Sequence, residues 1–260
     1  VPLKENLGFC GAVNLGIQKT KTPYLILLNN DTEADRHFVE KLLAGIKKSE
    51  RIFSCGAQMI DFKNHEMLDN AGDLYTAMGW AVARGKGKKC EDFEQAVRVF
   101  SCCAGAAIYH MDVLKKIGGL DEQHFAYLED VDLGYRARID GFENWYTPEA
   151  KVYHVGSATT GTRYNEKKVF LAARNTIFVI YKNMPLLQLF INLPFILAGM
   201  IVKTLFFVKK GFVKDYWSGI CEGVRDCHKC RKVSFTGKNL PHYLKIQLEL
   251  WGNIGRILGA

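Results

Sequence analysis

The sequence predicts an α/β domain followed by helices that contact a membrane. Three observations lead there. The stretch "YLILLNNDT" (24–32) is a short apolar run ending in turn residues, the pattern of a buried strand that stops at a polar loop. Strand-like and helix-like segments then alternate, punctuated by glycine and aspartate. Finally, "LLQLFINLPFILAGMIVKTLFFV" (186–208) has Lys203 as its one charge. As a straight helix it is about 34 Å long, close to the thickness of a bilayer core. The chain accordingly divides into an α/β part, 1–175, and an apolar, basic helical part, 176–260.

Bulk composition supports a folded chain: of 260 residues 48% are hydrophobic and 24% charged, which excludes a disordered protein. The net charge of +8 is concentrated between Lys203 and Lys245, beside the most apolar stretch. Basic residues in that position suit an anionic membrane surface. No nucleic-acid-binding module is recognisable, so nucleic acid is not expected as a partner. The eight cysteines are scattered, as reduced thiols are. Cys227 and Cys230 have zinc-like spacing, but no second pair accompanies them. The chain opens on Val1 and enters a dense motif at once, as if it begins part-way through a domain.

In order, "NLGFCGAVNLGI" (6–17) reads as a glycine-rich loop feeding a helix that reaches Lys19. Gly8 allows unusual dihedrals there, and Gly11 allows close approach of a neighbour or ligand. The spacing is not G-x-G-x-x-G, which excludes the dinucleotide fingerprint. The strand at 24–28 places Asn29, Asn30 and Asp31 at its carboxyl end, where open α/β sheets bind ligands. Asp35 is set to cap a helix running to Lys48, with Phe38, Leu42, Leu43 and Ile46 on one face. A strand over 52–60 follows, then a hairpin within "DNAGDLYTAMGWAVARGKGKKCED" and a mobile loop near 85–89. "VRVFSCCAGAAIYHMDVLKKIGG" gives a strand, a small-residue run at 104–107, and a helix over 112–117 that Gly118 and Gly119 end. "FAYLEDVDLGYR" (125–136) opens another helix, which Gly141 ends. "VYHVGSATTG" (152–161) is a short strand and a loop, with His154 near the strand's end. Farther on, Gln188, Asn192, Pro194 and Lys203 interrupt the apolar run, and lysines flank it on both sides. An interfacial or re-entrant anchor is expected, ahead of a true span or packing into a soluble core.

The chemistry admits plain readings as well as sharp ones. Asp31 is either a turn residue or a carboxylate ligand for Mg2+ or Mn2+. His154 taken alone is a structural histidine unless it converges with Asp31. Acids in a first helical turn are favoured by the macrodipole, and Asp132 with Arg136 forms an i,i+4 surface ion pair. Leu128, Val131 and Tyr135 share a packing face. That account leaves Glu129 and Asp130 over.

Taken together, "NLGFCGAVNLGI", "YLILLNNDT", "DNAG", "SCCAGAAIYHMDVLKKIGGLDEQHFAYLEDVDLGYRARIDGF" and "PEAKVYHVGSATTG" resemble the family-2 glycosyltransferases of GT-A type. The nearest branch is the rhamnosyltransferase- and galactofuranosyltransferase-like one, and the resemblance covers residues 4–175 in the family's order. It implies a Rossmann-like mixed sheet, here lacking its first strands, with C-terminal membrane-contacting helices. "NND" matches the family's Asp-x-Asp metal motif with Asn29 in place of the first acid, so Asp31 becomes the main carboxylate ligand and His154 completes the site. Asp130 matches the general base, and Glu129 shapes the acceptor site. The donor and acceptor pocket falls to Asn6, Gly8, Phe9, Asn14, Asn29, Asn30, Ala104, Gly105 and Ala106.

The resemblance further implies a nucleotide-sugar donor, a lipid-linked or polysaccharide acceptor, a divalent metal, and a place on the cytoplasmic face of the cell membrane. One base and one cation are what substitution at an anomeric carbon with inversion needs. The acids at 129 and 132 are expected to raise the base's pKa. Because the family's nucleotide-binding first strands are not seen, weak donor binding by this chain alone is expected. A metal-dependent hydrolase using the same acids, or a non-catalytic carbohydrate- or membrane-binding module, are the alternatives.

Overall fold

The computed structural model of the chain describes residues 4–156 and 164–258, so the part of the predicted loop at 157–161 lies outside the described residues. Helix α1 (Gly8–Lys19), strands β1 (Tyr24–Leu28) and β2 (Thr32–Ala34) and helix α2 (Phe38–Ile46) come first. Strands β3 (Ile52–Asp61), β4 (Leu68–Asn70), β5 (Asp73–Tyr75) and β6 (Ala81–Ala83) follow. Then come β7 (Val97–Val99), β8 (Ala106–His110), α3 (Met111–Ile117), α4 (Glu129–Ile139) and β9 (Glu143–His154). Four helices follow: α5 (Glu166–Asn183), α6 (Leu186–Lys210), α7 (Val213–Asp226) and α8 (Leu240–Leu258). The division expected after residue 175 falls inside α5.

The sheet runs β1-β8-β3-β9-β2, with β4 on β3 and β7 on β9. Only β3 and β9 are parallel within it, which makes the sheet mixed. Period-two alternation divides the strands between two layers. Ala106 and Ile108 face Phe38, Leu42 and Ile46 of α2, whereas Ala107 and Tyr109 face Phe53, Leu133 and Tyr146. Covered on both faces, β3 is buried along nearly its whole length, including the polar Ser54 and Gln58.

Several local expectations need correction. Asp35 accepts from the His37 N–H at 2.9 Å and so closes the turn before α2, which begins at Phe38 without a side-chain cap. The loop near 85–89 is tied down, because Leu68 N–H donates to Lys88 O and Gly87 N–H to Leu68 O, both at 2.8 Å. Strand β9 starts at Glu143 rather than 152, since its first half pairs with both β3 and β7.

The largest correction concerns Asp132 and Arg136. Instead of a surface pair they form a buried hub. Asp132 is 0% exposed and accepts from Arg136 Nε at 2.9 Å, Lys182 Nζ at 2.8 Å and Asn183 Nδ2 at 2.9 Å. Arg136 also donates to the carbonyls of Ile117, Gly118 and Gly119 at 2.7–2.8 Å. Lys182 reaches Asp121 at 2.7 Å. Charges removed from water this completely are tolerated only when hydrogen-bonded on all sides. Burial alone would raise the Asp132 carboxyl, but Arg136 and Lys182 hold it far below the ordinary range.

Helix α6 inverts the usual arrangement. Its polar residues point inward: Gln188 accepts from the Tyr135 hydroxyl at 2.9 Å, and Asn192 exchanges two hydrogen bonds with Gln247 of α8 at 2.7 and 2.9 Å. Most of its apolar residues point outward, with Leu186 and Phe190 about three-quarters exposed, while Ile196 and Phe207 are buried. Pro194 is accommodated without ending the helix. Helix α6 is the one described helix long and apolar enough to cross a membrane.

Asp132→Asn is expected to lower unfolding stability by about 3–5 kcal/mol, because Arg136 and Lys182 lose their countercharge inside the protein. Denaturant unfolding followed by circular dichroism measures it.

Candidate active site

Strand register assembles the first group of side chains. Thr32 of β2 pairs with His154 of β9, so Asp31 lies beside the histidine. Asp61 of β3 also pairs with His154, and β4 lies along β3 with Leu68 opposite Ile60, which brings Asp69 to the same point. His154 Nδ1 is 2.7 Å from Asp69 Oδ2, and its Nε2 is 3.4 Å from Asp31 Oδ1. The bond to Asp69 raises the His154 pKa, with burial opposing it. Burial would raise Asp69, yet hydrogen bonds from His154 and Lys86 bring it to about 2.

This geometry fits a divalent ion. A carboxylate that orients one ring nitrogen while the other faces a ligand is the usual second shell of a metal-bound histidine. Two ligands about 2.1 Å from one ion stand roughly 3 Å apart, near the Asp31–His154 separation. Among the described residues no group of three or more His, Cys, Asp or Glu forms a closed metal site.

The second group surrounds α4. Asp130 Oδ2 accepts from the Ala104 N–H at 3.2 Å and its Oδ1 from the Val131 N–H at 2.8 Å. Glu129 is buried, and its Oε2 has no partner. Asp73, which sequence reading passed over within "DNAGD", accepts from Asn70 Nδ2 at 2.8 Å and Ser101 Oγ at 3.2 Å. Burial, then the Asp130 charge, pushes both Glu129 and Asp73 up to about 8. Burial also raises Asp130, while the two N–H groups favour its ionised form. Asp130 is thus the acid of the three that accepts from both the Ala104 and the Val131 N–H groups. Neighbouring acids were expected to lift the base; burial does so instead, and Asp132 is neutralised by its own cations.

One segment links the two groups. Asn29 N–H donates to Gly105 O at 2.8 Å, and Gly105 follows the Ala104 that binds Asp130. Burial pushes the Cys103 thiol well up, with Asp130, Asp73 and Asp69 acting in the same direction, so this loop lies among all three acids. A Cβ on Gly105 would stand 3.0 Å from Asn29 Nδ2, which explains the glycine. Ala106 is turned into the core below α2.

The remaining predicted residues separate. Gly8, at φ 71°, lies so close to Phe125 that a Cβ would meet its carbonyl at 2.6 Å. Asn6 accepts from the Gly8 N–H at 2.9 Å. Asn14 is engaged structurally, bonding both backbone groups of Leu120 at 2.8 and 2.9 Å, and Phe9 packs against the core. Asn30 is exposed on the turn before Asp31. The acids themselves follow a turn in which Phe125, Tyr127 and Leu128 have φ of 62°, 74° and 64°. Such left-handed residues cost on the order of 1–3 kcal/mol each.

The mixed sheet, with its carboxylate–histidine pair at one strand end and acids at the start of α4, has the GT-A fold of glycosyltransferases. The family model "Glycosyl transferase family 2" matches residues 1–118. The chain is 36% identical over 210 residues to N-acetylglucosaminyl-diphospho-decaprenol L-rhamnosyltransferase of Mycobacterium tuberculosis, in two strains, covering 68% of this chain and 67% of the relative. The crystal structure of GalNAc-T7 with UDP, GalNAc and Mn2+ shares the fold, with a TM-score of 0.52 and 16% identity over 68% of this chain. This chain spans 35% of the length of that structure. The chain belongs to glycosyltransferase family 2 and is a glycosyltransferase.

Glu129→Gln fixes the neutral form of a group whose folded pKa lies above its unfolded value. Wild-type stability from this group is complete below the ordinary glutamate range and lost as pH rises toward about 8. The variant should therefore melt with the wild type at pH ~4 and above it at pH ~8, as thermal scans at both values will show.

Proposed function

We propose that the protein moves a sugar, with inversion, from a nucleotide-sugar donor to a lipid-linked or polysaccharide acceptor in cell-surface glycan synthesis. The observation that carries this reading is the placement of Asp130 between the Ala104 N–H and the start of α4, where two backbone N–H groups favour its carboxylate form. Its carboxylate takes the proton of the acceptor hydroxyl as that oxygen attacks the anomeric carbon opposite the leaving diphosphate. One displacement of this kind inverts the centre and leaves no sugar on the enzyme. Glu129, kept neutral, adds no second negative charge beside the nucleophile.

Asp31 and His154 would hold a divalent cation, with Asp69 orienting the imidazole. Such a cation supplies Lewis-acid stabilisation of the departing diphosphate. The GalNAc-T7 structure, solved with UDP and Mn2+, supports that choice of group. The mycobacterial relative is named for L-rhamnose transfer to a diphospho-decaprenol acceptor, which supports rhamnose and a lipid-linked acceptor here. The outward apolar face of α6 supports attachment at a membrane interface; the cytoplasmic side is the face we assign to the site.

Asp130→Asn is expected to cut kcat by about 10²–10⁴-fold while leaving thermal stability and Mn2+ binding in place. The assay uses nucleotide-activated L-rhamnose and N-acetylglucosaminyl-diphospho-decaprenol; wild-type rates would remove the base assignment. Asp69→Asn frees the His154 ring, so half-maximal transfer should need about 10–100-fold more Mn2+. A Mn2+ titration reads this directly.

A further inference from the structure

We propose that Asn175 is a positioning residue for the reaction: its carboxamide holds the strained turn that aims Glu129 and Asp130. The inference rests on the assignment of Asp130 as base. Phe125, Tyr127 and Leu128 are the non-glycine residues with positive φ among the described residues, and all three lie immediately before the two acids. A left-handed run of residues with side chains persists only where its surroundings over-determine it.

Here the surroundings are hydrogen-bond donors from α5. Asn175 Nδ2 lies 2.9 Å from His124 O, 2.8 Å from Ala126 O and 2.7 Å from Tyr127 O. Two amide hydrogens serve three oxygens, so one is shared. Arg174 Nη2 reaches Gln123 O and His124 O at 3.0 Å each. Cys10 N–H donates to Phe125 O at 3.1 Å, and Asp132 N–H to Leu128 O at 2.9 Å. Every carbonyl from 123 to 128 therefore has a donor; His124 O also accepts from the Ala126 N–H at 2.7 Å, while Ala126 O and Tyr127 O depend on Asn175. It is 0% exposed and is not among the acids that would meet substrate. Removing its donors leaves the part-buried carbonyls of Ala126 and Tyr127 unmatched, and the turn regains partners for them by rotating those peptides toward solvent. Because Glu129 and Asp130 directly follow Leu128, that rotation displaces both carboxylates.

In the full-length protein, assayed as above, Asn175→Ala should lower kcat about 10–100-fold while both KM values change less than about threefold. Adding Tyr127→Gly, which makes a positive φ free of steric cost, should restore kcat at least about fivefold. A residue that merely fills the core would show no such rescue. Should Asn175→Ala fold poorly, Asn175→Ser, which keeps one donor, is expected to give an intermediate loss. Amide exchange of residues 124–131 should quicken in either variant, with β3 unchanged; this measurement needs no substrate. Wild-type kcat and wild-type exchange in the Asn175 variants, or no rescue by glycine, would overturn the inference and leave the role of Asp130 standing. Wild-type kcat in Asp130→Asn, run alongside, would overturn both.

Discussion

The fold around the site depends on the charges gathered at Asp132. One carboxylate without solvent access joins α4 to α5 through Lys182 and Asn183, and joins α4 to the 117–119 turn through Arg136. Lys182 then reaches Asp121, at the start of the segment leading to the acids. The orientation of the helix carrying Glu129 and Asp130 is thereby tied to a helix some fifty residues away in sequence. Ion pairs of this sort contribute little net stability against an apolar replacement, but they fix geometry, since no other arrangement satisfies all the donors.

Around that frame the site divides its acids by environment rather than by residue type. Asp69 and Asp132 face cations and stay ionised, whereas Glu129 and Asp73 are buried near another carboxylate and hold protons. Asp130 has backbone N–H groups instead, which suits an acid that must gain and lose a proton. The three outcomes occur in one small region because hydrogen-bond partners differ within a few ångströms.

The C-terminal helices are joined to the α/β part through a shared core. Tyr135 and Val131 of α4 pack with Val179, Ile196, Tyr243 and Leu250. Helix α6 turns Gln188 and Asn192 toward that core together with Leu189 and Ile196, and turns Leu186, Leu187 and Phe190 away from it. An interior that receives amides and an exterior that presents hydrocarbon is the reverse of a helix facing water on its outer side. Two of the residues that interrupt the apolar run, Gln188 and Asn192, thus fasten the helix to the domain.

The sequence by itself determined the α/β class, the strand at 24–28, the helix at the acid-rich stretch, and the family. These follow from short-range periodicity and from motif order, which a chain displays without folding. The positions of Asp31, His154 and Asp130 at the ends of readable elements were legible for the same reason, whereas the roles proposed for them came from the family resemblance. Asp69 and Asp73 were not, because their partners come from β9 and from Ser101, and register across strands leaves no mark in local sequence. Asp132 and Arg136 showed the same limit in reverse: their i,i+4 spacing is identical on a surface helix and a buried one. Only the tertiary structure, by packing α5 over them and removing water, made that pair the centre of the fold.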